Sequence, residues 1–301
     1  MQRVDDHLLR EWPLPQPDDA DSKEERGRIL ILGGSASVPG AVRLAGEAAL
    51  RVGAGKLQLA TASSVAGGLA LLVPEALVVA LEEDGDGDIC GGAGRVVAEQ
   101  AQRAQAVVIG VGMSAPDPVR EIITALVAVP GPVLVLDAAA ITCLEGCGAD
   151  LLGPARERVV LTPNAAEAAT LARCEVDDVN ADPLQTAQRL VDELGVVVSL
   201  KGATTYTCAP DGRVFADEAG NVGLGTSGSG DVVAGAIGGL AARGADPLQA
   251  AVFGIHVHAA AGDRLAERVG PLGYLARELA PEFPSILAEL ARLAGTKGAL
   301  A

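Results

Sequence analysis

Residues 220–231 read Gly-Asn-Val-Gly-Leu-Gly-Thr-Ser-Gly-Ser-Gly-Asp, and a run of small apolar residues, Val232–Ala242, follows directly. Glycines let the main chain approach a ligand closely. The N–H groups of such a loop and of the first helical turn converge where the helix dipole is positive, which favours anion binding. Asp231 lies at this point, where a carboxylate can take a proton from a substrate hydroxyl beside a transferred phosphoryl group. The stretch therefore predicts phosphoryl transfer.

A flexible connector that ends in a helix-capping aspartate would have a similar composition. Two features favour the anion site instead. The loop lies within an α/β pattern rather than between domains, and the next helix contains Gly235, Gly238 and Gly239, which permit close packing. The sequence contains no Gly-x-x-x-x-Gly-Lys-Ser/Thr motif and no well-placed dinucleotide fingerprint, so P-loop and Rossmann sites are poorly supported.

Short apolar segments alternate with amphipathic helices before the loop. The predicted strands are Arg28–Leu32, Leu57–Ala60, Ala76–Ala80, Ala106–Ile109, Val133–Asp137, Arg158–Thr162 and Val196–Leu200. The predicted helices are Gly40–Val52, Gly92–Gln105, Asp117–Ala128, Ala165–Arg173 and Pro183–Leu194, then Asp231–Arg243, Pro247–Val269 and Pro284–Leu293 after a hairpin of Thr204–Cys208 and Val214–Ala216. Most strands are apolar on both faces, which predicts an α/β fold with a mostly parallel central sheet and helices on both faces.

No linker divides this pattern into two cores. We expect one α/β domain over residues 27–295, preceded by an N-terminal arm over 1–26 and followed by a flexible tail over 296–301. The arm is predicted to be extended because it is acidic and contains Pro13, Pro15 and Pro17.

The composition excludes several classes of protein. The 301 residues carry 39 Asp and Glu against 23 Lys and Arg, a net charge of -16 that repels nucleic acid, and only 2% aromatic residues for base stacking. Mean hydropathy is +0.32, but the longest uncharged stretch, Leu57 to Pro74, suits a strand, a loop and a short helix better than a membrane span. The polar N-terminus and five scattered cysteines lead us to expect a cytoplasmic protein without a membrane or zinc site.

The loop and Asp231 resemble the catalytic signature of the ribokinase-like superfamily. Other motifs resemble the ADP-dependent NAD(P)H-hydrate dehydratases in particular, and as a set they cover nearly the whole chain. These motifs are Gly33-Gly34-Ser35, Pro39-Gly40-Ala41, Arg51-Val52-Gly53-Ala54-Gly55, Pro74-Glu75, Gly110-Val111-Gly112, Leu136-Asp137-Ala138, Leu161-Thr162-Pro163 with Glu167, Lys201-Gly202 and Gly220-Asn221.

The resemblance implies a repair reaction on a damaged cofactor. It implies that water is removed from the (6S)-hydrated form of NADH or NADPH, with ADP, or alternatively ATP, as the phosphoryl donor and with AMP and phosphate as products. Phosphorylation turns a poor leaving hydroxyl into a phosphate that departs readily. The resemblance also implies Mg²⁺ on the donor phosphates and a homo-oligomer, with a tetramer as one option.

Roles for individual residues follow from their positions in these motifs. Asp231 would deprotonate the hydroxyl, and Gly228, Ser229 and Gly230 would form the anion hole. The hydrate would contact Ala41, Gly112, Asn164 and Asp231. The AMP part of the donor would contact Lys201, Gly202, Ala203, Thr204, Thr205 and Gly230. Glu167 would order Mg²⁺ through its waters, although a solvent-facing glutamate at a helix N-terminus fits it as well.

The sequence departs from the family on the substrate side. Asn164 replaces the usual His and cannot carry a proton, Ala139 replaces the usual second Asp, and Ser114 replaces a Gly. Two alternatives therefore stay open. One is a small-molecule kinase of the same fold that phosphorylates a vitamin precursor or a sugar hydroxyl. The other is a paralogue that binds nucleotide without turnover.

Three polar residues late in the chain receive no role in the reaction from the sequence. His256 and His258 point apart on the predicted helix, so packed or capped imidazoles are expected rather than a metal pair. Asp263, seven positions after His256, is expected at the surface or at an interface.

Overall fold

The predicted parallel strands lie in one sheet in the computed structural model, which describes residues 1–16 and 25–295. In these residues the strands are β1 Gln2–Arg3, β2 Arg28–Leu32, β3 Lys56–Ala62, β4 Ala76–Leu81, β5 Ala106–Ile109, β6 Val133–Leu136, β7 Val159–Leu161, β8 Val197–Leu200, β9 Thr205–Cys208 and β10 Val214–Asp217. Their order across the sheet is β1-β10-β9-β8-β7-β6-β5-β2-β3-β4. Only the β8–β9 and β9–β10 pairs are antiparallel, which confirms the mostly parallel sheet.

Helices cover both faces of this sheet. The helices are α1 Asp6–Glu11, α2 Gly40–Arg51, α3 Ser63–Leu72, α4 Gly94–Ala101, α5 Pro116–Val127, α6 Ala139–Thr142, α7 Gly148–Leu152, α8 Ala165–Ala172, α9 Val176–Ala181, α10 Pro183–Leu194, α11 Ser229–Ala242, α12 Pro247–Arg268, α13 Ala276–Leu279 and α14 Phe283–Gly295. In β2, Ile29 and Ile31 face one apolar core, and Leu30 faces the other. Burial of both faces explains why the strands lack polar alternation.

The glycines of α11 bring this helix close to its neighbours. A Cβ atom at Gly235 would lie 2.1 Å from the carbonyl oxygen of Ala45 in α2, and one at Gly238 would lie 2.4 Å from the Val108 side chain in β5. Only glycine fits such contacts. The helix therefore lies over the middle of the sheet with its N-terminus at the edge where β6 and β8 end, which is where ligands bind in open α/β sheets.

The prediction of an extended arm is wrong for residues 1–16. β1 pairs with β10, and α1 packs on α14 with Leu9 only 1% exposed. Trp12 stacks on Phe215 with ring centroids 5.5 Å apart. The charges of this segment obscured a helical spacing of apolar residues that the structure buries. Residues 17–24 of the arm and the tail over 296–301 lie outside the described residues.

The uncharged stretch after β3 also differs from its prediction. No loop separates β3 from α3, because the carboxylate of Glu83 accepts hydrogen bonds from the main-chain N–H and the hydroxyl of Ser64. A residue far along the chain thus satisfies hydrogen-bonding groups at the start of the helix, and the local sequence does not reveal this contact. No helix among the described residues is long and apolar enough to span a membrane.

Candidate active site

A buried ion pair lies beside the N-terminus of α11. Asp137, which follows β6 directly, accepts hydrogen bonds from the Thr162 hydroxyl at 2.7 Å and from Nζ of Lys201 at 2.9 Å. Lys201 follows β8, so the two partners come from strand ends at the same edge of the sheet. The Asp137 side chain is 5% exposed and that of Lys201 is 21% exposed. The pair fixes the Lys201 ammonium at this edge.

Asp231 lies in the first turn of α11, close to this pair. Burial and, to a smaller extent, the negative charge of Asp137 raise the pKa of Asp231 to about 6, and Lys201 partly opposes both effects. A carboxylate with a pKa near the operating pH suits a general base. Burial therefore accounts for most of the raised pKa of Asp231, and Asp137, a residue without a role predicted from the sequence, adds to it.

The glycine-rich loop leaves the start of α11 open. Gly228 precedes the helix with φ +88° and offers no side-chain cap. Within the described residues, the N–H groups of Gly230 and Asp231 have no hydrogen-bond acceptor. A Cβ atom at Gly230 would lie 3.6 Å from both Oδ2 of Asp137 and Nζ of Lys201, which is ordinary van der Waals contact, so Gly230 lies directly beside the ion pair. These N–H groups and the helix dipole can therefore bind an anion.

A cavity of about 810 Å³ adjoins these groups. Its first wall contains Asn164 and the β8–β9 connection, and its second wall is formed by the glycine-rich loop and α12. The first wall includes most of the residues assigned to the nucleotide, namely Lys201, Gly202, Ala203 and Thr205. Thr204, also assigned to the nucleotide, is not among the residues that line the cavity. A cavity of this size suits a drug-sized ligand.

Asn164 and Glu167 form the N-terminal cap of α8. Oδ1 of Asn164 accepts hydrogen bonds from the N–H groups of Ala166 and Glu167, and Oε2 of Glu167 accepts one from the N–H group of Asn164 at 2.8 Å. The pKa of Glu167 is raised, mainly by burial. The positive charge of Lys201 opposes this increase, and the negative charge of Asp137 adds to it. Asn164 thus serves as a capping residue on the cavity wall.

Ala41 and Gly112, the other residues assigned to the hydrate, lie together but away from the cavity wall. A Cβ atom at Gly112 would lie 2.7 Å from the Cβ atom of Ala41, which is 2% exposed. Ala41 lies in the first turn of α2, and Leu44 of the same helix contacts Gly228. The two residues are therefore on the α2 side of Asp231, whereas Asn164 faces the cavity.

Asp263 is partly exposed, and the structure adds a role in the glycine-rich loop to its expected position at the surface or at an interface. Its carboxylate accepts hydrogen bonds from the N–H group of Gly220 at 2.9 Å and from Nδ2 of Asn221 at 3.1 Å. Oδ1 of Asn221 accepts hydrogen bonds from the N–H group of Gly223 and from the hydroxyl of the buried Tyr274. Asp263 therefore holds the first part of the glycine-rich loop. The sequence signal that could have indicated this role is the position of Asp263 two helical turns after His256, on the same face of α12.

The two histidines of α12 have separate partners, as their positions on a helix predicted. Nδ1 of His256 lies 3.0 Å from Oδ2 of Asp217, and Nε2 of His258 lies 2.9 Å from Oγ of Ser229. The described residues contain no group of three or more His, Cys, Asp or Glu side chains that could hold a metal ion.

The fold defines a class of protein, that of the ribokinase-like proteins. A crystal structure of a ribokinase-like superfamily protein from Enterococcus faecalis matches with a TM-score of 0.81 and 24% identity, covering 97% of this chain and 96% of that one. The structure of ADP/ATP-dependent NAD(P)H-hydrate dehydratase from Bacillus subtilis, co-crystallized with ATP/Mg²⁺, matches with a TM-score of 0.79 and 25% identity, covering 96% and 98%.

Sequence comparison narrows this class to one family. The family model described as NAD(P)H-hydrate dehydratase matches residues 29–285. An ADP-dependent (S)-NAD(P)H-hydrate dehydratase from Xanthomonas campestris pv. campestris is 48% identical over 284 residues, which cover 94% of this chain and 95% of the relative. The chain belongs to the NAD(P)H-hydrate dehydratase family. It spans about half the length of the bifunctional NAD(P)H-hydrate repair enzymes that it also matches.

Proposed function

We propose that this enzyme restores NADH or NADPH from the hydrated cofactor, with ADP as the phosphoryl donor and AMP and phosphate as the other products. The carrying observation is the position of Asp231, a carboxylate with a raised pKa, beside the open N–H groups of α11 and a cavity of nucleotide size. The 48% identity to a relative of this name supports the choice of substrate.

The geometry supports a two-stage reaction. Asp231 takes the proton of the hydrate's hydroxyl group, and the oxygen attacks the β-phosphorus of ADP while the bond to AMP breaks. The N–H groups of Gly230 and Asp231 stabilise the charge on the transferred phosphoryl group. The carbon–oxygen bond of the phosphorylated cofactor then breaks, phosphate leaves with the electron pair, and loss of a proton from the neighbouring carbon restores the ring double bond.

Lys201 supplies positive charge in this reaction. Burial lowers the pKa of Lys201, but the carboxylates of Asp137, Glu167 and Asp231 more than offset this effect, so its pKa is raised and it stays protonated. An ammonium that lies 3.6 Å from where a Cβ atom on Gly230 would be can contact a phosphate bound at the N-terminus of α11. Lys201 can do so although the chain has a net charge of -16, because the nearby ammonium and N–H groups act on a bound phosphate more strongly than distant negative charges do.

The residues present fit an Mg²⁺ ion that is bound mainly by phosphates and water. Oε2 of Glu167 serves the α8 cap, and within the described residues no donor contacts its other oxygen, which could face a hydrated ion. Mg²⁺ prefers such sites with few protein ligands. When bound, it would neutralise charge on the donor phosphates.

The test is incubation of the protein with the hydrated cofactor and either ADP or ATP. We expect recovery of the absorbance of reduced nicotinamide together with release of AMP from ADP. A kinase of the same fold would accumulate a stable phosphorylated product instead, and a paralogue without turnover would bind nucleotide in calorimetry without releasing AMP. No recovery with either nucleotide would overturn the proposal. A cytoplasmic location stays a prediction.

The pH dependence of kcat/KM follows from the pKa of Asp231. The base acts as a carboxylate, and its pKa is about 6, so the rate falls as the pH decreases through this value. We expect kcat/KM to decrease about tenfold for each pH unit below 6 and to be nearly constant from pH 7 to 8. A profile that stays flat down to pH 4.5 would contradict the assignment of Asp231 as the base.

We infer that two copies of the chain associate through the sheet edge formed by α3 and β4. β4 is the last strand of the sheet, and neither α3 nor β4 contains a charged residue. Leu71 is 87% exposed, Leu72 56% and Leu77 57%. Since each copy carries a net charge of -16, an uncharged apolar face is where two copies meet at the smallest electrostatic cost.

A charged substitution on this edge tests the association. We expect Leu72→Glu to lower the mass of the protein in sedimentation velocity to that of one chain, because the carboxylate would be buried without a partner. Val176→Glu is the control, since Val176 is 40% exposed on α9, which packs on α8. Equal masses for the two variants would argue against this edge as the contact.

A further inference from the structure

The contact between Ser229 and His258 joins the anion site to α12. Ser229 is the first residue of α11 and is 6% exposed, and its Oγ atom lies 2.9 Å from Nε2 of His258. Both side chains line the cavity. The hydroxyl can donate only one hydrogen, so the direction of this hydrogen bond decides what the serine offers to a ligand.

We propose that His258 is a positioning residue that donates its Nε2–H to Oγ of Ser229, which directs the serine hydroxyl hydrogen toward the phosphoryl group of the nucleotide. If the serine hydroxyl instead donated its hydrogen to Nε2 of the imidazole, only lone pairs of the serine oxygen would face a bound anion. Because the neighbouring N–H groups of Gly230 and Asp231 and the Lys201 ammonium all present positive ends to this space, a further donor matches their field. The inference rests on the proposed function.

His258 performs this role as a neutral ring. Burial and, to a smaller extent, the positive charge of Lys201 lower the pKa of His258 to about 4. A charged imidazole is therefore absent at neutral pH, and the tautomer determines the direction of the bond. The ring thus contributes orientation and no net charge.

A double-mutant cycle measures the coupling between the two side chains. We expect His258→Leu to lower kcat about tenfold or more with a smaller change in KM for ADP, as is usual for a group that orients another. His258→Gln places an amide near the position of Nε2 and should keep most of the activity. In a Ser229→Ala background, His258→Leu should lower kcat by no more than about twofold, since the hydroxyl that it orients is gone.

Two results would overturn the proposal. One is an equal loss from His258→Leu in both backgrounds, and the other is a neutral ring with its proton on Nδ1 in ¹⁵N NMR of the wild-type protein. If the leucine variant does not fold, His258→Asn replaces it, because its amide is too short to reach Ser229. The NMR readout needs no turnover. A wild-type protein that fails to restore the cofactor would refute the proposed function, whereas an active wild type with an additive cycle would refute only the role of His258.

Discussion

Asp231→Asn is expected to lower kcat by about 10³-fold or more while the Kd for ADP, measured by calorimetry, changes by less than about threefold. The amide cannot take the proton of the hydroxyl, and general bases contribute roughly 10²–10⁴-fold to rates. The main-chain N–H groups that bind the nucleotide stay in place, because Asn keeps the shape of Asp. Residual activity above about a tenth of the wild-type value would show that another group removes the proton.

The same substitution should stabilise the fold at high pH. The pKa of Asp231 is about 6 in the folded protein against an ordinary value of 3.8, so ionisation above pH 6 disfavours the folded state. The asparagine side chain of the variant does not ionise. We expect the melting temperature of Asp231→Asn to exceed that of the wild type at pH 8, and the difference to shrink as the pH falls through 6 to 4. A constant difference across this range would contradict a raised pKa.

Gly230→Ala should lower the activity strongly without harming the fold. A Cβ atom at Gly230 meets no atom closer than 3.6 Å, so the folded protein accepts it. The methyl group would occupy the space between Asp137, Lys201 and the bound phosphoryl group. We expect a decrease in kcat/KM of about 10²-fold, measured by recovery of the reduced cofactor, with a melting temperature equal to that of the wild type or slightly higher.

Gly235→Ala is the matched control on the same helix. Its Cβ atom would lie 2.1 Å from the Ala45 carbonyl oxygen, so α11 and α2 must separate. We expect this variant to lose about 3 kcal/mol or more of its free energy of unfolding in urea titration. If Gly230→Ala were the more destabilised of the two, the assignment of Gly230 to ligand space would be wrong.

Part of the site could be read from the sequence because its residues are neighbours in the chain. The run from Gly228 to Asp231 carries its chemistry locally: the glycines, the start of an apolar helix and the carboxylate suffice to predict an anion site. Lys201 and the β8–β9 connection, which the family motifs assign to the nucleotide, line the cavity, and their contact with a nucleotide stays a prediction. Residue roles that rested on family motifs alone, such as those of Ala41 and Gly112, stay predictions.

Other features depend on residues far apart in the chain. Asp137 and Lys201 are 64 positions apart, yet their contact places a negative charge beside Asp231 and contributes to its raised pKa. Ser229 and His258 are 29 positions apart. An aspartate is a residue type that is common at protein surfaces, and only the approach of α12 to the loop shows that Asp263 holds Gly220.

The apolar strands and the alternation of strand and helix determined the α/β class and the mostly parallel sheet, and the glycine-rich loop predicted the anion site, because each depends on local spacing. The tertiary structure decided which carboxylate is near which ammonium, how far the pKa of Asp231 rises, and that residues 1–16 complete the sheet and its core. Burial and charge proximity set these properties, and both depend on distance in space rather than on distance along the chain.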